Sequence, residues 1–201
     1  MNTRTFRSFV AVLLLAAAAF AADEYKIDPG HSSATFAVRH MGIATVKGRF
    51  TGISGAIVYD EKDITKSSVT ASIKTATLNS DNEFRDRDLR GESFFDIEKF
   101  PEMTFVSKKV EKRGDQLIVT GTLTIKDVSK DVEIPFEIVK GDTLFGVRVG
   151  VSAVFKVNRK DYHLTYSRLM DNGGLVVSDE VKIELNVEGA LPRKDAPPAK
   201  K

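Results

Sequence analysis

The sequence predicts an all-β chain: a closed antiparallel β-barrel of about eight strands, with one short helix near residues 81–90. Three observations carry this. Between Glu24 and Gly189 the dominant pattern is alternation of apolar and polar residues with period two, which places one face of a strand in a core and the other in water. Clusters of Gly, Asp, Asn and Lys punctuate the alternating runs at turn spacing. Charges fill one face of nearly every run, and there is no Trp and only four Tyr. A membrane barrel needs an apolar exterior with aromatic girdles, so the apolar face here points inward. Long alternating strands in this number favour closure over an open sandwich, because closure removes exposed edges.

The elements follow in order. Residues 1–21 have a basic start at Arg4 and Arg7, an unbroken apolar run Phe9–Phe20 and small residues Ala19 and Ala21 around Phe20. This is the secretory signal pattern, with an apolar run too short to span a bilayer. Cleavage is expected near Ala21, giving a periplasmic or secreted protein. Residues 22–190 form the expected barrel domain. Val69, Ala71 and Ile73 alternate with polar neighbours, as do Leu117, Val119, Leu123 and Ile125. Val132–Ile138, Val147–Phe155 and Val181–Val187 repeat the pattern. Asp60–Asp63, Arg113–Asp115, Lys126–Asp127, Gly141–Asp142 and Asn172–Gly174 supply the turns. Ser80-Asp81-Asn82-Glu83 has capping-box spacing with Ser80 as N-cap, and Gly91 is placed to end the helix. Residues 191–201 hold three Pro and four basic residues and are expected as a solvated tail.

Composition removes several functions. With no Cys there is no disulfide framework, thiolate metal site or Cys nucleophile. The whole chain carries 30 basic and 28 acidic residues; loss of Arg4 and Arg7 with the signal leaves 28 of each. No bulk attraction to nucleic acid follows, and any transient membrane contact would come from a ligand and not from net charge. There is no Gly-x-Ser-x-Gly, phosphate-binding glycine loop, dinucleotide fingerprint or HExxH. No catalytic residue, no metal and no tightly held cofactor are therefore expected.

Several motifs occur together: Asp28-Pro29-Gly30-His31-Ser32, Phe36-Ala37-Val38-Arg39-His40, Val46-Lys47-Gly48-Arg49-Phe50 and Gly55-Ala56-Ile57. The central set is Asp88-Leu89, Phe94-Phe95-Asp96, Phe100-Pro101 and Thr104-Phe105-Val106-Ser107, followed by Gly121-Thr122-Leu123-Thr124-Ile125 and Ser178-Asp179-Glu180-Val181. In this combination the chain resembles the YceI-like lipid/polyisoprenoid-binding family over about residues 24–189. Two places depart from the family pattern. Asp127 stands where a Gly usually follows the Leu-Thr-Ile-basic run, and Asn158–His163 only loosely matches an Arg-x-Asp-Phe-Gly stretch. The resemblance implies a lipocalin-like barrel with an elongated apolar tunnel for one long isoprenoid or related amphiphile. An isoprenoid quinone, a prenyl diphosphate or a fatty-acid-like lipid are the ligands it suggests, in an exported protein with no established catalytic step.

On that reading core and pocket wall coincide. The expected tail-lining residues are Phe36, Val38, Phe50, Ile73, Phe84, Leu89, Phe94, Phe95, Phe105, Gly121, Leu123 and Phe136. Small inward residues, Gly48, Gly55, Ala71, Gly121 and Ala153, would leave space along the bore. Thirteen Phe with few polar aromatics suit a hydrocarbon tail. His31, His40 and Arg90 are the head-group candidates. For His40 a core imidazole bonded to a backbone carbonyl is the ordinary alternative, and for the arginines of residues 85–90 it is a solvated, ion-paired helix face. A Ser32, His31 and Asp28 trio would be the basis of a hydrolase, and a packed interaction barrel responding to stress is the other alternative to lipid carriage. Strand edges beside the barrel seam would favour a homodimer.

Overall fold

The computed structural model describes residues 22–171 and 173–192. The expected export segment, residues 1–21, lies outside them, as does the tail from residue 193. The described residues form ten strands: β1 (Asp23–Ile27), β2 (Ser33–His40), β3 (Ala44–Phe50), β4 (Ile53–Tyr59), β5 (Ser68–Lys74), β6 (Glu102–Arg113), β7 (Gln116–Ile125), β8 (Val128–Thr143), β9 (Gly146–Asn158) and β10 (Glu180–Ala190). They make eight ribs of one closed up-and-down barrel. β1 and β2 lie end to end along β10, and β3 and β4 lie end to end beside them. All neighbours are antiparallel, and Lys26 opposite Ala190 closes the ring. The first rib breaks at Asp28-Pro29-Gly30, the second at Thr51-Gly52.

Period two decides which face goes inside. Val119 and Leu123 of β7, Ile134 and Phe136 of β8, Ala153 and Phe155 of β9, and Ile183 and Leu185 of β10 all face the interior. Tyr25, Ile57 and Val149 are almost wholly buried at the narrow end, where short turns such as Arg113–Gln116 link the ribs. Leu191 is not free tail: its N–H bonds to Val147 O at 3.1 Å and its side chain packs on the core.

The other end carries two long crossovers, residues 75–101 and 159–179. The first contains α1 (Glu83–Arg90), the α-helix expected near residues 81–90. Its N-cap is Asn82, whose side-chain oxygen accepts from Arg85 N at 2.9 Å, and not Ser80. The Ser80 hydroxyl is instead taken by the buried carboxylate of Asp86, which also accepts from Ser80 N at 2.8 Å. Eight residues are too few for a helix stable by itself. Arg85 to Ser80 O and Arg90 to Leu78 O tie it down.

Candidate ligand cavity

An apolar cavity of about 260 Å³ runs inside the barrel. Its wall includes Phe36, Val38, Phe50, Ile73, Leu89, Phe94, Phe95, Phe105, Leu123 and Phe136 from the expected set, together with Ala71, Ala153, Ile134, Val151, Ile183 and Leu185. Strand alternation presents these side chains, and Phe94 and Phe95 enter from the first crossover. Phe36 lies 5.8 Å from Phe50, and Phe95 meets Phe50 edge-on at 5.2 Å. Phe94 stacks on Tyr166 of the second crossover at 4.9 Å, and Tyr166 N bonds to Ser93 O. The two crossovers are thus joined over the wide end.

Two expected wall residues lie elsewhere. Phe84 is 76% exposed on α1, with Arg87 over its ring; its helix turns it outward. Gly121 is buried and has the inward parity of Val119 and Leu123, but it does not border open space. A Cβ there would stand 2.5 Å from Phe105 Cζ and 2.6 Å from Val106 O. The missing side chain is replaced by the Phe105 ring lying against the strand. Gly48 seats Phe36 in the same way. Gly55 is not a lumen spacer either: its φ of 137° and its closeness to the Thr70 carbonyl oxygen serve the approach of β4 to β5.

The head-group candidates do not converge on the cavity. His31 is exposed on the outer surface, its Nδ1 3.1 Å from Asp28 Oδ2. His40 is half-buried at the end of β2, where its backbone bridges Val177, and it is not on the wall. Arg90 spends its guanidinium on Leu78 O at 2.7 Å. Among the described residues no ion pair links the arginines and acids of α1. The exposed pairing expected there is replaced by backbone tethers.

Arg159 is the residue that sequence patterning missed. It is 4% exposed and adjoins the wall. Its donors go to Ser178 O (3.0 Å), Leu164 O (2.9 Å), Tyr166 O (2.6 Å) and Asp179 Oδ1 (2.9 Å), so it fastens the second crossover and has little left for a ligand. The signal available was Arg159-Lys160-Asp161-Tyr162: it fits the Arg-x-Asp-aromatic run, with His163 in the glycine's place. His163 adopts the left-handed φ of 56° that a glycine would take without strain. Burial pushes the Tyr162 phenol up, so this wall residue stays neutral.

Outside the barrel, Asp28, His31 and Glu188 set ligand atoms within 4.8 Å of one another. Arg148 lies between the carboxylates, 3.0 Å from Asp28 and in close contact with Glu188, so a cation's charge is already supplied there. Hydrogen bonds from His31, from Arg148 and from Gly30 N hold the Asp28 carboxyl down at about 2. This cluster fixes the break in the first rib. Ser32 is buried and exchanges hydrogen bonds with the Glu188 backbone, while His31 is bonded to Asp28. The trio therefore lacks the serine–histidine contact of a nucleophilic site.

The sequence pattern of the YceI-like domain matches residues 25–189. "Protein YceI" of Salmonella arizonae and that of Salmonella paratyphi B are each 34% identical over 184 residues, covering 90% of this chain and 93% of the relative. The crystal structure of Campylobacter jejuni YCEI protein is 33% identical, with a TM-score of 0.65 over 78% of this chain and 90% of that one. Burkholderia cenocepacia BcnA shares the fold at 23% identity (TM-score 0.71; 81% and 98% covered). So does a structure described as a polyisoprenoid binding domain from Saccharophagus degradans, at 17% identity (TM-score 0.61; 84% and 98% covered).

Proposed function

The chain belongs to the YceI-like family, and from that membership and its cavity we propose that it binds one long-chain isoprenoid or related amphiphilic lipid without transforming it, as a carrier, store or sequestering agent. The observation that carries this is the almost wholly apolar wall of a closed barrel, continuous from Ile57 near the narrow end to Phe94 and Val177 at the wide end. Such a wall offers a hydrocarbon tail burial, and few polar groups to anything else. The Saccharophagus neighbour, described as polyisoprenoid-binding, supports the same class of ligand. With His31 and Arg90 committed to protein groups, a polar head is left to the wide end, where His40 stands at the end of β2. Export to the periplasm or beyond the cell belongs to this proposal, because the signal pattern precedes the barrel.

Organic extraction of the purified protein, followed by mass spectrometry, tests the reading. A single long-chain lipid class recovered in stoichiometric amount is expected. Protein that is folded and lipid-free after purification, and that takes up no isoprenoid quinone or fatty acid from detergent, would favour the packed interaction barrel.

A further inference from the structure

The wide end carries exposed apolar side chains on two neighbouring loops. Met41 (43% exposed) and Ile43 (82%) form the tip of the β2–β3 hairpin, and Leu169 (63%) lies on the second crossover. The backbone holds these loops together: Met41 N bonds to Val176 O at 2.8 Å, Val176 N to Arg168 O at 2.9 Å, and Leu169 bridges Leu175. Arg39 braces the tip through Gly42 O at 2.6 Å.

Charge on these loops is one-sided. Segments 39–47 and 168–176 hold Arg39, Lys47 and Arg168 against a single acid, Asp171. Among the described residues none of the three cations is in an ion pair. The other end of the barrel differs. Its hairpin tip also bears exposed apolar side chains, Leu144 (97%) and Phe145 (69%), but Lys140 is paired with Glu61, and Arg148 with Asp28 and Glu188. The wide-end patch also meets the cavity. Val38 and Val177 are half-buried wall residues, and the His40–Val177 bridge and the Ser178 N to Arg39 O bond connect them to the loops.

We propose that the tip of the β2–β3 hairpin and the Leu169 loop form a docking surface for a lipid bilayer with anionic head groups. Ile43, Met41 and Leu169 enter the interface, and Arg39, Lys47 and Arg168 face the head groups. Apolar tips bordered by cations are the combination that binds such an interface. The charge that matters is local, which is compatible with a balanced chain. The proposal concerns the outer surface and stands whether or not the cavity holds cargo.

The test is flotation of a chain beginning at Ala22, which contains every described residue, with vesicles of phosphatidylcholine containing a minority of phosphatidylglycerol. The unsubstituted protein is expected to float. Ile43→Asp and Leu169→Asp are each expected to weaken binding roughly tenfold or more, the ratio that losing burial of one large aliphatic side chain implies. Leu144→Asp, at the opposite end, leaves binding unchanged. All three positions are exposed, so circular dichroism should show unaltered folds. No flotation of the unsubstituted protein, or an equal loss with Leu144→Asp, overturns the proposal. So does concentration-dependent self-association abolished by Ile43→Asp without vesicle binding, which would give the patch to a second copy. Lipid extracted from the same preparations reports on cargo separately: Ile43→Asp protein that keeps its lipid but no longer floats supports docking.

Discussion

Gly48 and Gly121 sit at inward positions where strand alternation alone suggests open bore, yet each is covered by a phenylalanine ring from a neighbouring strand. The sequence places the glycine on the correct face, but which ring folds over it depends on cross-strand register, and no local pattern encodes that. Gly121→Ala is therefore expected to destabilise the protein by about 1–3 kcal/mol, because the new methyl meets Phe105 and the Val106 carbonyl, which belongs to the sheet. Urea unfolding measures this, and a neutral result would show that Phe105 can move aside. Asp28 makes a pH-dependent contribution of known sign. Its carboxyl is depressed from 3.8 to about 2, by His31 first and then Arg148. The stabilisation is thus present above the ordinary value and lost as pH falls toward about 2. Wild-type stability should fall more steeply through that window than that of Asp28→Asn. Parallel curves would mean that the cluster contributes nothing to folding.

Helix α1 shows how far an element can be read locally. Its position and length follow from the sequence, but its cap does not, because two residues of one short segment compete for the role. Asp86, one turn along, captures Ser80, and Asn82 takes its place. The second crossover was less legible. It has neither helical nor strand period, and its anchor, Arg159, looks like one more surface cation until the fold buries it. Removing that guanidinium leaves Asp179 with Lys160 alone and takes a donor from four buried or half-buried carbonyls, those of Leu164, Tyr166, Val177 and Ser178. Arg159→Ala is expected to cost at least about 1–3 kcal/mol, the penalty for leaving a buried acceptor unsatisfied. Hydrogen exchange should show residues 164–178 losing protection first. Uniform loss of protection across the barrel would argue against a crossover fastened mainly by this residue. The joint between the crossovers has a further bolt in Lys126, whose ammonium donates to Glu92 O at 2.9 Å and His163 O at 3.1 Å. Lys126 and His163 both hold left-handed backbone, so the wide end tolerates conformations that the ribs do not.

At the scale of the molecule, period-two alternation and the polarity of the outer face were enough to read a closed barrel with an apolar interior, since both reflect burial that every strand shares. The breaks in the first two ribs were less visible: β1 with β2, and β3 with β4, are each one rib in space and two strands in hydrogen bonding. The export segment is testable at the same scale. Protein recovered from the periplasm or medium is expected to begin at Ala22 or within two residues of it, and N-terminal sequencing that finds Met1 would contradict export by this signal. The central claim is that the bore is space for a lipid tail and not a filled core. Ala71 lines that bore from β5, opposite Phe105 of β6, so Ala71→Phe adds bulk where the tail would pass. Native mass spectrometry of wild type and Ala71→Phe, paired with their melting temperatures, is the most direct measurement. Wild type should carry one lipid, and Ala71→Phe should carry none while remaining folded and as heat-stable as delipidated wild type. A wild type without lipid, together with an Ala71→Phe variant destabilised by the about 1–3 kcal/mol typical of overpacking, would contradict it.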